Sequence, residues 1–286
     1  MPDVNRDDTT LVSRAIGGDG DALEQLVQGH QTWVYNVAVR MLGHPHDAED
    51  ATQEILIKAV TRLASFQRRS SFQTWLYRIA VNHVLNMKRG RLEQKSLTFS
   101  CYAHGLDSTP DQELPDRSSV PVDVRLLVAE ARISCTSGML LCLDRGQRLV
   151  YILGEILDIS DAVGAELLEI SPDNFRQRLS RARRDLHSFM NDKCGLVNAA
   201  NPCRCAKKTR GFMDVGYVDA SNLLFAGARV RQVRDAAPAT ARAMAALDEQ
   251  CARAYREHPL YEPPDMAKAI RQLIDSSEFR RAVDLS

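Results

Sequence analysis

Apolar positions along this chain recur at three- and four-residue intervals, and the elements they predict are helices. Thr10 to Leu42 is helical twice over. Leu11, Ala15 and Ile16 form a short first stripe. After the Gly17-Gly18-Asp19-Gly20 break come Ala22, Leu23, Leu26, Val27, Val34, Val37, Ala38 and Met41. Gly43-His44-Pro45 ends that run by ordinary breaker chemistry. Trp33 and Tyr35 read as core or boundary aromatics. A third helix, Asp47 to Leu63, has Ala51, Ile55, Ala59 and Leu63 as its inner row. A fourth runs from Phe72 to Arg89, with Ser71 as N-cap and Gly90 as stop. Its expected inward stripe is Phe72, Trp75, Leu76, Ile79, Ala80, Val84 and Met87.

The stretch 93–121 breaks the periodicity. It is rich in Ser and Pro, acidic through Asp107, Asp111, Glu113 and Asp116, and reads as a flexible linker. Helical spacing resumes from 122 to 190, first around Leu126, Leu127, Ala129 and Ala131, then on Leu149, Ile152, Leu153 and Ile156. Asp161 to Leu168 predicts a short helix and Glu169-Ile170 a turn. Ser171-Pro172 is a strong helix start with Pro at the first position. Phe175, Leu179, Ala182 and Leu186 then face inward. Beyond a Cys-rich loop, Ala239–Glu257 and Pro264–Val283 read as two further helices on rows including Ala243, Leu247 and Cys251, then Ile270, Leu273, Ile274 and Phe279. The expected fold is all-α: modules at 10–92 and 122–190, the linker 93–121, and a helical extension over 191–286.

Net charge is zero over 286 residues, with 37 basic and 37 acidic side chains, so a uniformly basic nucleic-acid binder is excluded. The distribution is blocky. Residues 59–95 hold 8 basic groups against 1 acidic, and 1–58 hold 4 against 10. Alternation of this kind fits a chain that touches both DNA and a protein partner. No apolar run is long enough to span a bilayer, and the start lacks a signal-peptide core, so a cytoplasmic protein is expected. Seven cysteines, odd in number and unevenly spaced, do not form a secreted disulfide framework.

Three surfaces carry candidate chemistry. On the fourth helix Arg78, Asn82, Asn86, Lys88 and Arg89 fall outside the apolar stripe, behind a polar loop containing Arg68, Arg69, Ser70 and Ser71. Cations fix a phosphate backbone, amides read base edges, and rings such as those of Phe72 and Trp75 stack bases. On the third helix Asp47, Glu49, Asp50, Gln53, Glu54 and Ile57 make an acidic outer face suited to the helix dipole. In the second module Asn174, Arg176, Gln177, Arg178, Ser180, Arg181 and Arg184 lie outside the second of two helices joined by a tight turn. That is the helix-turn-helix arrangement, whose second helix enters the major groove.

The order DAEDATQE, then FQTWLYRIAVN some twenty residues on, resembles regions 2.2 to 2.4 of bacterial sigma factors of the extracytoplasmic-function (ECF) type. The resemblance implies that the acidic helix docks on the clamp helices of the largest subunit of core RNA polymerase. It implies that the basic loop and the next helix capture the melted −10 element of promoter DNA. The second module resembles the sigma region that reads the −35 element and meets the polymerase flap. One departure is Glu169, where the turn usually holds glycine. The resemblance also admits an anti-sigma partner, requires no cofactor and gives the chain no active site. The rival reading is a helix-turn-helix regulator that binds duplex operators without joining the polymerase.

The extension lies outside that resemblance. Cys194, Cys203 and Cys205, with His187 seven residues before the first, could hold a structural zinc. Reduced or redox-responsive thiols are the alternative. A zinc enzyme in the tail would need an open metal position and a general base, and neither is visible. An extension of this size could also pack on both modules and regulate them in cis.

Overall fold

The structure, a computed structural model, describes residues 8–87, 97–226, 230–231, 245–256, 258 and 260–275. Four helices open the chain: α1 (Thr9–Ile16), α2 (Gly20–Leu42), α3 (Pro45–Thr61) and α4 (Phe72–Asn86). Their boundaries are written in cap chemistry. Asp19 accepts the amides of Asp21 and Ala22, and Gly43 closes α2 at φ 69°. Pro45 sits in the first turn of α3, and Ser71 accepts the amide of Thr74. Each side-chain cap satisfies a helix-end amide and contributes about 1 kcal/mol.

Helix α2 is the centre of the molecule. Every residue from Trp33 to Leu42 is buried, polar Asn36 and Arg40 included. A helix buried all round must be covered on every side. Here α3 and α4 pack on one flank. On the other lie α6 (Val124–Leu141), α7 (Arg145–Tyr151) and a short strand from the C-terminal region. Trp33 stacks on Tyr77 at 3.5 Å between ring centres, joining α2 to α4.

In the second half, α7 runs directly into a π-helical turn, Ile152–Ile156, where Leu157 N–H bonds back to the Ile152 carbonyl. Then come α8 (Asp161–Leu168) and α9 (Pro172–Lys193). Ser160 and Ser171 cap α8 and α9 as acceptors for Val163 and Asn174 amides. Glu169 takes the left-handed conformation, φ 54° and ψ 42°. The turn therefore has the geometry a glycine would supply, at the conformational cost of a side chain. Gly164 is required for a different reason. A Cβ there would lie 2.4 Å from the Phe175 ring, so α8 approaches α9 more closely than any side chain allows.

The stretch expected as a flexible linker differs from that expectation. Residues 99–108 form helix α5 (Phe99–Ser108), capped by Thr98. Phe99 meets Phe189 of α9 at 5.0 Å, the Tyr102 hydroxyl donates to the Cys135 carbonyl of α6 at 2.8 Å, and Leu106 is buried. Few apolar groups are present, but Phe99 and Tyr102 find partners on α9 and α6. Tertiary contact thus orders a segment whose composition alone would not.

Three further helices, α10 (Cys205–Asp214), α11 (Ala245–Arg256) and α12 (Met266–Asp275), complete the described fold. Strands β1 (Val230–Arg231) and β2 (Leu260–Tyr261) pair antiparallel, two residues each, and among the described residues all other regular structure is helical. The Cys-rich stretch is partly helical, since α10 begins at Cys205 and packs on α6. Lys208 is buried: its ammonium donates to the Thr109 carbonyl and lies 3.1 Å from Asp111. Buried Glu130 of α6 accepts the amides of Leu224, Phe225 and Ala226. Ala243, Phe279 and the side chains of Leu247, Leu273 and Ile274 lie outside the described residues. Among the described residues no helix is long and apolar enough to cross a membrane.

Candidate nucleic-acid interface

Helix α4 is rotated relative to its expected stripe. Its buried residues are Phe72, Gln73, Leu76, Tyr77, Ala80, Val81 and Val84, whereas Trp75 and Ile79 are half-buried. The apolar residues of this helix cover more than half its circumference, and contact with both α2 and α3 selects which part turns inward. Phe72, expected to contact DNA, belongs to the core: its ring packs beside His30 at 5.5 Å and Trp75 at 5.7 Å. A ring held this way cannot stack on a base without leaving its site. Trp75 keeps one side open and rests on Phe66 at 5.2 Å.

The remaining ridge is presented outward. Asn82 and Asn86 are exposed, with the Asn86 amide donating to the Asn82 carbonyl at 2.8 Å. Arg69 and Ser71 are exposed and Ser70 half-buried. Arg68 adopts φ 54° and donates to the Ser13 hydroxyl at 2.6 Å, which fixes the loop against α1. Lys88 and Arg89 lie outside the described residues. Arg78 is neither free nor interior. It is half-buried between the modules, 3.6 Å from Glu166 and 3.5 Å from Glu169 of the helix-turn-helix.

On α3 the outer face stands as its spacing implies. Asp50, Gln53 and Glu54 are exposed, and Asp47, Glu49 and Ile57 are half-buried. This face is tied to the α4 ridge by a residue the sequence did not single out. His83 accepts from the Lys58 ammonium at Nδ1 (2.6 Å) and places Nε2 3.5 Å from Glu54. Burial, aided by the Lys58 charge, holds the His83 pKa below its usual value and keeps the ring neutral. The two candidate faces thus share one cross-link, visible only after α3 and α4 are packed.

In α9 the division into faces is as expected. Phe175, Leu179, Ala182 and Leu186 are buried. Arg176, Gln177, Ser180, Arg181 and Arg184 are exposed, and Asn174 and Arg178 half-buried. Arg176 is anchored at the N-terminal end by Asp161 and Asp173, which raise its pKa and hold its guanidinium in one orientation. Arg183 turns away from the exposed face and pairs with Glu155 of the π-helical turn.

The four residues considered for zinc do not form a ligand set. His187 is buried, and its Nε2 lies 2.9 Å from the Tyr151 hydroxyl, so the imidazole serves the core of the second module. Seven-residue spacing puts His187 and Cys194 on one helical face but does not say which neighbour claims the ring. Cys194 is buried and Cys203 and Cys205 half-buried, and burial pushes all three thiols up, Cys205 to about 11. Unbound, they are thiols at neutral pH and weak nucleophiles. Among the described residues no group of three or more His, Cys, Asp or Glu is arranged to hold a metal ion.

Comparison with known proteins falls on these same helices. Residues 26–92 match the family Sigma-70 region 2, which spans most of α2, all of α3 and α4 and the loop between them. The chain is 29% identical over 182 residues to the ECF RNA polymerase sigma factor SigW of Bacillus subtilis, covering 61% of this chain and 92% of that one. It is 30% identical over 181 residues to the RNA polymerase sigma-H factor of Pseudomonas aeruginosa, covering 62% of this chain and 90% of that one. Among solved structures, CnrH in complex with the cytosolic domain of CnrY is similar at 26% identity and a TM-score of 0.46, over 65% of this chain and 99% of that one. Over a third of this chain is left unmatched in each case.

Proposed function

Because this chain belongs to the ECF-type sigma factors of bacterial RNA polymerase, we propose that its recognition faces divide the work of initiation among α3, α4 and α9. The protein binds core RNA polymerase, recognises −35 and −10 promoter elements and supports promoter melting. In the proposed division, the acidic outer face of α3 docks on a basic surface of the polymerase. The loop carrying Arg68 and Arg69 fixes the phosphates of one strand, while Asn82 and Asn86 read base edges beside Trp75. Unstacking a base costs only a few kcal/mol, so binding the opened strand is enough to bias the duplex toward melting. Helix α9 enters the major groove of the −35 element with Arg176, Gln177, Ser180 and Arg181 foremost. The polymerase supplies nucleotidyl transfer. A chain with this task works in the cytoplasm, where its template is.

The observation that carries this reading is the cross-link through His83. It holds an exposed acidic face and the exposed amides of Asn82 and Asn86 side by side on one module, as joint contact with polymerase and promoter requires. The test is charge reversal at two exposed positions, Asp50→Lys with Glu54→Lys. Exposed charge pairs are each worth about 0.2–1 kcal/mol, and reversal adds repulsion. Affinity for core polymerase should therefore fall at least about tenfold. Unchanged association in a folded variant would remove α3 from the docking surface.

A further inference from the structure

Elements near −35 and −10 are about 25 base pairs apart, ~85 Å of duplex at 3.4 Å per step. In this structure the modules that read them are in contact. Arg78, on the α4 ridge, is held by Glu166 and Glu169 at the turn leading into α9. Arg145 of α7 donates to the Leu85 and Met87 carbonyls at the end of α4, at 3.1 and 2.6 Å. Buried Arg148 reaches the Met41 carbonyl of α2. The modules share one continuous apolar core. So joined, they cannot lie on both elements at once.

The tail spans this joint, touching first one module and then the other. On the second module, the Tyr255 hydroxyl donates to the Thr136 carbonyl at 3.0 Å and its ring meets Tyr151 edge-on. His258 Nε2 lies 2.7 Å from the Thr136 hydroxyl, and Arg256 donates to the Glu155 carbonyl at 2.7 Å. The chain then crosses to α2. There the Asn36 side chain pairs with both main-chain groups of Tyr261, at 2.9 and 3.1 Å, and Arg40 lies over the Tyr261 ring. Finally α12 lays Met266, Ala267 and Ile270 on Val27 and Leu56 in the groove between α2 and α3. Arg271 reaches Asp21 and Glu24 at 2.8 and 2.7 Å. Leu56 and Val60, which α12 covers, are the helical neighbours of Gln53 and Ile57 on the docking face.

We propose that the described residues of 251–271 are a strap that holds the two modules closed, so that the extension restrains promoter recognition in cis and must lift from α2 before initiation. The functional half rests on the sigma-factor reading above; the closure is a property of this chain alone. The test is the full-length double variant Ile270→Asp with Arg271→Glu, which alters only the far end of the strap. Two quantities are measured: run-off transcription with purified core polymerase, and the radius of gyration by small-angle scattering. The strap predicts a larger radius and a roughly tenfold rise in transcription, as expected when a restrained state loses about 1.4 kcal/mol of its advantage. An unchanged radius with output at or below that of the unaltered chain, in a protein that melts normally, overturns it. If the double variant does not fold, Ile270→Ala should give the same two changes at smaller size, and neither change would overturn the proposal. If the unaltered chain fails to bind core polymerase, the sigma reading falls, and scattering still decides the strap.

Discussion

Replacing Gly164 by alanine sets two effects of opposite sign against each other. In an exposed helix interior the change should stabilise α8 by about 0.8–1 kcal/mol, the difference in helix propensity. The new Cβ, however, would stand 2.4 and 2.5 Å from Cε2 and Cζ of Phe175. Carbon atoms in contact prefer about 3.5–4.0 Å, so α8 and α9 must separate by roughly 1 Å or the ring must turn. Phe175 is fully buried and rigidly surrounded, and overpacking at such a site costs about 1–3 kcal/mol. With most of the overpacking range above the propensity gain, the clash should win, leaving a net loss of up to about 2 kcal/mol and a melting temperature lower by up to about 8 °C. Because the separation falls between the two helices of the DNA-reading turn, binding to a −35 duplex should weaken as well. Phe175→Leu should be destabilising by itself, yet recover most of the Gly164→Ala loss when combined with it, giving a favourable coupling in a double-mutant cycle. A higher melting temperature for Gly164→Ala alone, or strictly additive effects, would refute the close-packing argument.

Two other predictions concern the strap and the ridge. His258 is buried near Arg40 and Arg132, and burial first, then those charges, depress its pKa from 6.5 to about 3. Its neutral form is therefore the one the closed tail accepts. The associated stability is complete above pH 6.5 and is lost as pH falls toward 3, at up to about 1.4 kcal/mol per unit. Protection factors for hydrogen exchange in α11, taken relative to the intrinsic rate at each pH, should fall over that window, and His258→Asn should flatten the dependence. On the ridge, Asn82→Ala should lose discrimination at one −10 position by about 1–3 kcal/mol, whereas Arg69→Ala should weaken all sequences alike and lower the salt slope by about one. Competition between single-base promoter variants at two salt concentrations separates the two; equal loss across sequences for Asn82→Ala would remove it from base reading.

What could be read from the chain was local. Ser71 and Ser171-Pro172 mark helix starts because capping depends on neighbours in sequence, and the faces of α9 follow from a single stripe packed on one side. Glu169 stood out as a non-glycine residue in a turn position, and it does adopt the left-handed backbone. The misses lie where several elements compete for the same residues. Tyr77 is in the core because Trp33 stacks on it, and Phe72 is covered because Phe66 and His30 enclose it. The 99–108 helix depends on Phe189, ninety residues downstream, and the burial of Lys208 depends on the Thr109 carbonyl. None of these pairings has a periodic signature. The acidic face and the amide ridge were legible as separate patterns; the His83 link between them was not.

The side chain of Asn36 has all its hydrogen-bonding capacity in use: Nδ2 donates to Thr32 and Tyr261 carbonyls, and Oδ1 accepts from Tyr261 N–H and Arg40. What it recognises in the tail is the main-chain N–H and C=O of a single residue, whatever side chain stands at 261. Extended backbone turns its donor and acceptor the other way at each step, so a slip by one residue would present nothing for the amide to hold. One position deep in α2 thereby acts as the zero mark of a ruler along the tail, and the run from Tyr261 to Arg271 measures out where the guanidinium meets Asp21 and Glu24. Inserting a residue inside that run would leave the Asn36 contact intact and misplace everything beyond it; inserting one before it would not.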